Sequence, residues 1–529
     1  MNGAAAASSS AESSTDVGSL LLVGILGALG LALNILTDGN FAAMMAAMLG
    51  VGVLVLAWFV PLRWSLLTLL FLGLTLEAPY ERFAGYLFST PWQLAGTALL
   101  GNLNLVTHVA ALKFSGFDIL MGYLLIVHVA RRARGSTIDG AGFVPLPRPL
   151  LLGALITTCS ILLFWAWGLS HGGDFSNSLW QLQKPLYGPL LMVLLHAGFR
   201  GGRDMRMLGL ALVAAGVYRA VLAVYVRYTV LAPDGGPLGY ATTHADSALF
   251  VAALMLLLIL RNERVAGLGR HWLTLPAVAI IVAGMVCNTR RLAWVMLAGA
   301  LLIVALVSPW THWKRRSARA ALVFVPLACV YLAVGWNAGG GGLFAPVATV
   351  RSVVDSETDA SSLWRDKENT NLVLNIFEHP WMGVGFGHEY VEYDKLDDVS
   401  ELYAQYRYIP HNSVLALFAF TGAFGVASIW ALLVATVFLA ARSYRVGSRP
   451  EDRTGALMCI VIVFLYIDQA YGDIGVSLWI SPLLLAPAAM LAGKLALSTG
   501  AWPWPRRGGQ VLTGGSSEQA VSAGKATSR

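Results

Sequence analysis

The chain has 529 residues, of which 57% are hydrophobic and only 12% charged, and its mean hydropathy is +0.66. A soluble protein of this length needs about twice that charged fraction to cover its surface, so a soluble multidomain enzyme is excluded. The net charge of +7 comes without any basic, aromatic-interleaved loop, which excludes nucleic acid as a partner.

Apolar runs able to cross about 30 Å of hydrocarbon recur from Val17 to Lys494. In chain order they predict spans at 17–36, 41–60, 64–77, 117–131, 148–168, 184–199, 207–226, 246–261, 272–288, 292–309, 319–335, 411–441, 455–471 and 475–493. The expected fold is therefore an all-α membrane protein of about fourteen transmembrane helices. Residues 1–16 are Ala/Ser-rich without a basic n-region and read as a disordered cytoplasmic tail, not a cleaved signal. Residues 17–335 hold the first eleven spans, 336–410 a large outside loop, 411–493 the last three spans, and 494–529 a second disordered cytoplasmic tail. Segment 411–441 exceeds what a bilayer requires and is expected to tilt or project.

With the amino terminus inside, each inside loop is basic: Arg63; Arg131, Arg132 and Arg134; Arg200, Arg203 and Arg206; Arg261, Arg264 and Arg270; Lys314, Arg315, Arg316 and Arg319; Arg442, Arg445, Arg449 and Arg453; Lys494, Arg506 and Arg507. That is the positive-inside pattern, and the net charge reflects orientation. Cys159, Cys287, Cys329 and Cys459 each fall inside a predicted span, which argues against a disulfide framework or a metal cluster.

The polar chemistry collects outside, in loops 78–116 and 336–410. Loops longer than about fifteen residues are usually functional or disordered. The second begins with the hinge-like run Gly339–Gly342, but its stretch SLWRDKENTNLVLNIFEHP is too apolar for simple disorder. Leu363, Trp364, Leu372, Leu374, Ile376 and Phe377 are spaced for a helix on the membrane surface that Pro380 would end.

After that stretch come HPWMGVGFG (379–387), a polar loop, and IPHNSVLALFAFTGAFG (409–425) opening a transmembrane helix. This order resembles the O-antigen ligase and Wzy polymerase superfamily of bacterial membrane glycosyltransferases. Those proteins show an Arg-containing helix, a hP-x-x-G-x-G-x-G turn and a His-Asn pair followed by a helix with G-x-x-G. Upstream, CNTRRLAWVML (287–297) is similar to the family's short outside loop, an arginine followed by a small-residue helix. The resemblance covers 287–425; the helices before it agree in hydropathy only.

The resemblance implies a GT-C-like helical fold in the bacterial inner membrane, acting on the periplasmic face with no metal, cofactor or nucleotide sugar at the site. The donor would be a glycan on undecaprenyl pyrophosphate. The acceptor would be another lipid-linked repeat unit in a polymerase, or lipid A-core in a ligase. Membrane lipids, a chain-length regulator and a flippase are the implied partners. Direct attack by a base-activated hydroxyl would invert the anomeric centre.

Residue chemistry asks for the same groups. A pyrophosphate leaving group needs cations, and arginine's planar fork pairs with phosphate bidentately without losing its proton. The acceptor alcohol needs a base, for which a neutral imidazole is the usual choice. His411 is the candidate base, and Arg290, Arg291 and Arg365 lie on its side of the membrane. Against these stand plainer roles: Asn412 either caps its helix or fixes the His411 tautomer; Arg290 and Arg291 either bind phosphate or snorkel to head groups; Arg365 either binds phosphate or pairs with Asp366, Glu368 or another loop carboxylate. Gly383, Gly385 and Gly387 follow no strand of a βαβ unit and serve backbone turning or close approach to a ligand.

Charges placed inside spans add further candidates, since each costs several kcal/mol unless paired or solvated. Arg219 either reaches toward pyrophosphate or pairs with Asp246 or Asp468, and Asp246 and His244 open a span on the outside. Lys184 is a phosphate contact or an interfacial anchor. Three functions follow: a lipid-pyrophosphate-dependent polymerase, with ligase as its alternative; a lipid-oligosaccharide flippase or transporter; and a metal-dependent GT-C enzyme using Glu77 or Glu81. Transporters of the second kind commonly carry repeat symmetry and broken helices around a midplane site. Here the strongest motifs lie at the outer surface, which favours an enzyme.

Overall fold

In the computed structural model of the protein, residues 41–78, 88–104, 114–140, 145–231, 240–265, 272–310, 312–337, 360–401, 405–472 and 478–502 are described, with a few isolated positions between them. They form α1 (Phe41–Phe59), α2 (Leu62–Thr75), α3 (Gln93–Leu100), α4 (Gly116–Ala133), α5 (Arg148–Ser170), α6 (Phe175–Gly198), α7 (Gly202–Val226), α8 (Ala245–Asn262), α9 (Thr274–Asn288), α10 (Arg291–Val307), α11 (His312–Gly335), α12 (Ala360–Glu378), α13 (Ser413–Ile429), α14 (Ala431–Val446), α15 (Pro450–Gly472) and α16 (Ile480–Ser498). Among the described residues, seven helical stretches are long and apolar enough to cross a membrane, and four shorter apolar helices accompany them. The protein is an all-α, polytopic membrane protein, as hydrocarbon requires of a chain whose backbone groups must be satisfied within each segment. The expected span 17–36, the run Gly339–Gly342 and most of both tails lie outside the described residues.

Polar caps set the helix starts that hydropathy cannot see. Ser115 accepts from Asp118 N while Asp118 accepts from Ser115 N, a capping box that opens α4. Asp174 accepts from Asn177 N at 2.7 Å and starts α6. Helix α6 thus begins nine residues before the expected boundary at 184, because its first turns are polar and only its later part is apolar.

Chain ends alternate between two faces of the bundle. At one face Arg453 meets Glu263 at 3.4 Å and Lys494 Nζ donates to His196 O at 3.1 Å. At the other, Arg365 Nη1 donates to Gly472 O at 3.2 Å and Asn288 Oδ1 accepts from Thr242 N at 2.9 Å. Helix α16 runs through the middle, with 83% of its apolar window buried against 39% for the peripheral α5.

The long span expected at 411–441 is one apolar helical stretch, Ser413–Val446, but it is broken along its length. The path divides into α13 and α14 at Trp430, and α13 is itself broken at Gly422, whose φ is 63°. Two helical bonds are exchanged there for bonds to the 379–387 turn. Ala423 N and Phe424 N donate to Pro380 O (2.9 Å) and Trp381 O (3.2 Å), while Ala419 O and Phe420 O accept from Val384 N (3.3 Å) and Gly385 N (2.7 Å). The four backbone groups freed at the break, Ala423 N, Phe424 N, Ala419 O and Phe420 O, are thus paired again, which is what lets an apolar helix tolerate it. A Cβ on Gly422 would lie 2.2 Å from the carbonyl carbon of Trp381, and one on Gly385 would lie 2.2 Å from Gly168 Cα. Those two glycines are demanded by close approach of backbone to backbone.

Candidate active site

Helix α12 forms over 360–378, where the apolar spacing expected one, and ends before Pro380. It buries Leu372 and packs Ile376 against Leu415 and Ala419 of α13, leaving Phe377 exposed. Its inward face also carries Glu368, which is fully buried. Glu368 accepts from His411 N at 3.0 Å, and its two carboxylate oxygens lie 3.3 and 3.4 Å from His411 Nδ1. A carboxylate on Nδ1 favours the tautomer whose proton is on that nitrogen and whose lone pair is on Nε2. The ring is held edge-on by Trp364, with centroids 5.1 Å apart, and its side chain is 29% exposed. Asn412 caps α13, accepting from Leu415 N at 3.1 Å; the group that faces the imidazole is Glu368.

The loop leading to His411 is clipped in place by amides. Asn371 Oδ1 accepts from Tyr393 N and Asp394 N at 2.9 and 2.8 Å, and its Nδ2 donates to Asp394 O at 2.7 Å. One turn on, Asn375 makes the same pair of bonds with Val391 N and O, at 2.9 and 2.8 Å. Gln181 of α6 accepts from Gly387 N at 2.6 Å and donates to Tyr408 O at 2.8 Å, three residues before His411. Arg407 bonds both oxygens of Glu392, at 3.2 and 3.4 Å, and its Nε also donates to Tyr406 Oη. Burial and the neighbouring carboxylates Glu368 and Glu392 push the Tyr390 phenol well above its usual range, so it stays protonated.

The predicted arginines gather around the end of α15. Arg365 lies one turn before Glu368 and donates to the carbonyl of Gly472, the negative end of the α15 dipole. A Cβ on Gly472 would in turn lie 2.6 Å from Leu292 Cδ1, so the start of α10 packs on the same helix end. That start is the turn carrying Arg290 and Arg291. Thr289 makes it tight by adopting φ 54°, a left-handed conformation that costs a β-branched residue about 1–3 kcal/mol. Arg290 lies 3.6 Å above the Tyr240 ring and within 3.3 Å of His244 Nε2. Since arginine only donates, His244 Nε2 is the acceptor there. Arg291 is the first residue of α10 and half-buried.

The intramembrane charges form separate groups. Arg219 Nε lies 3.4 Å from Asp246 Oδ1, both side chains are buried, and Nη2 donates to Leu76 O at 2.9 Å. This is the pairing expected between Arg219 and Asp246, and Asp246 also accepts from Thr243 N. Lys184 is buried between the rings of Trp180 and Trp479, 5.1 and 4.9 Å from their centroids. Asp468 is half-buried on α15. Glu77 accepts from Thr90 N and Oγ1 at 3.0 and 3.2 Å, and Glu81 lies outside the described residues.

Four polar residues here escape sequence reasoning: Glu368, Asn371, Asn375 and Gln181. The first three repeat at helical spacing on one face of α12, together with buried Leu372. A polar stripe at i, i+3 and i+7 on the face expected to be apolar is the signal that finds them. Gln181 carries no comparable mark.

Residues 276–430 match the family model Wzy_C, described as O-antigen ligase. The matched stretch runs from α9 through α13 and takes in Arg290, Arg291, Arg365, Glu368, His411 and the break at Gly422. No curated protein matches the chain.

Proposed function

Through residues 276–430 the chain is a member of the O-antigen ligase/Wzy superfamily, and on that premise we propose that it transfers undecaprenyl-pyrophosphate-linked glycan to an acceptor hydroxyl at the periplasmic face of the inner membrane. The observation that carries this reading is the His411–Glu368 pair at the mouth of α13, with Arg365 one turn away on α12. In the proposed step, His411 Nε2 takes the acceptor hydroxyl proton as the oxygen attacks the anomeric carbon. The bond from that carbon to the pyrophosphate oxygen breaks, its electron pair leaves with the pyrophosphate, and the centre inverts. Glu368 is a positioning residue that stabilises the imidazolium formed. Arg365 and the Arg290–Arg291 turn offset the charge gathering on the leaving group, a task for which no metal or cofactor is then required.

Arg219 and Asp246 satisfy each other and serve as a structural pair in this reading. Lys184, boxed by two indoles, is a second-rank phosphate contact. Polymerisation of O-antigen or exopolysaccharide repeat units is the first assignment, and ligation to lipid A-core is the second. The full-length protein in nanodiscs, supplied with lipid-linked repeat units, separates them. A ladder of products from donor alone marks a polymerase, whereas product formed only with lipid A-core marks a ligase. His411→Ala should slow either reaction by about 100- to 10,000-fold. No transfer by the wild type with either acceptor, or an undiminished rate in the variant, overturns the assignment.

A further inference from the structure

The face opposite His411 holds a cavity of about 910 Å³ between α7, α8, α15 and α16, closed above by Leu70 and Leu74 of α2. It runs along α16 from Ser498 to Leu483, about 22 Å at 1.5 Å per residue. Its walls are aliphatic, and Leu210, 48% exposed on α7, puts one of them beside the surrounding lipid. Its mouth is basic: Arg200, Arg206, Arg449 and Lys494 line it, against Glu451 and Asp452. Asp452 is already held by Arg449 at 2.9 Å. Just inside, Thr454 is 4% exposed, and its hydroxyl has no hydrogen-bond partner among the described residues.

We propose that this cavity binds an anionic phospholipid of the leaflet opposite the candidate active site. A deep aliphatic slot suits an extended acyl chain. With Arg449 paired to Asp452, Arg200, Arg206 and Lys494 against Glu451 leave the mouth net positive, which suits a phosphate carrying a net negative charge, and the Thr454 hydroxyl offers a donor to a glycerol or phosphate oxygen. Basic pockets between transmembrane helices recognise anionic head groups in this way. A free phosphate would leave the slot unfilled, and a zwitterionic lipid would bring its own cation to a mouth already positive. The inference does not use the glycosyltransferase assignment, since no lining residue belongs to the matched segment 276–430.

The test is native mass spectrometry of the delipidated full-length protein titrated with phosphatidylglycerol, phosphatidylcholine of the same chains, or inorganic phosphate. Phosphatidylglycerol should bind about ten-fold or more tightly than phosphatidylcholine, and inorganic phosphate should not compete. The double variant Arg206→Gln/Arg449→Gln should bring the two lipids to within about two-fold of each other. Phosphatidylglycerol with a photoreactive chain should label α16 between Leu483 and Lys494, a readout on wild type that stands if the variant misfolds. Equal binding of both lipids, competition by phosphate alone, a folded variant that keeps the preference, or labelling confined elsewhere each overturns the proposal.

Discussion

Glu368→Gln isolates the contribution of one negative charge to His411. Glutamine has the same shape and keeps a carbonyl oxygen for His411 N, now bonded at 3.0 Å, so the loop stays anchored. What disappears is the anionic partner 3.3 Å from Nδ1. A hydrogen bond to a charged group contributes about 1.5–3 kcal/mol, and losing it only where the imidazole becomes positive lowers kcat about 10- to 150-fold. The donor is not touched by Glu368 in this scheme, so its KM should change less than about two-fold. Rates from single-turnover transfer of a fluorescent lipid-linked glycan would read the chemical step directly. A thermal melt in detergent would check that the variant is folded. The decisive comparison is the cycle with His411→Ala: once the base is gone, Glu368→Gln should cost nothing further. A folded Glu368→Gln protein with wild-type kcat, or a double variant slower than His411→Ala by the full single-variant factor, would refute the pairing.

Arg365→Ala should lower turnover of the lipid-linked donor by about 10- to 150-fold through a lost charge-assisted contact, and Arg365→Lys should recover part of it because the fork is lost while the charge remains; initial rates at saturating donor decide. Gly422→Ala places a Cβ 2.2 Å from the Trp381 backbone at φ 63°, so it should lower the melting temperature and abolish transfer even though alanine is the better helix former; an unchanged melt would deny the docked break. Asp139, in the loop after α4, is pushed up by burial, but His128, Leu62 N and Arg131 outweigh that and hold its carboxyl down at about 2. Its stabilisation is therefore full above the ordinary carboxylate value and is lost as pH falls toward about 2. Wild type should exceed Asp139→Asn by on the order of 2 kcal/mol at pH 5 and converge with it near pH 2 in detergent melts. Transfer activity should survive dialysis against a chelator, because the arginines of the proposed site supply the cations; loss restored by a divalent ion would reopen the reading through Glu77.

Hydropathy alone located the described spans to within a few residues where a helix begins at an apolar boundary, as α5 does at Arg148 and α10 at Arg291. It failed at α6, whose start is decided by the Asp174 cap, and at Gly422. In FAFTGAFG the glycine pair looks like helix packing, since nothing local reveals that residues 380–385 supply the missing bonds. The order of motifs singles out His411 as the candidate base. Its partner was not legible, because Glu368 is 43 residues away and ends a run of four charges of mixed sign, Arg365 to Glu368. Arg219 with Asp246 was legible only as one of two readings: a buried cation must find an anion, but sequence does not say which.

The Asn371 and Asn375 clips and the docked turn at 379–387 have a practical consequence. The Asn371 bonds to Asp394 and the packing of Leu396 beside Ile376 and Leu415 hold one side of the segment 398–405, and the Gln181 bond to Tyr408 O holds the other. An exchange confined to 398–405 leaves in place Leu396 and the Asp397 carbonyl that accepts from Trp364, whose ring lies beside His411. A chimera cut after Asp397 and before Tyr406 keeps the Arg407–Glu392 bonds and is the natural graft for separating acceptor preference from the chemical step of the proposed reaction.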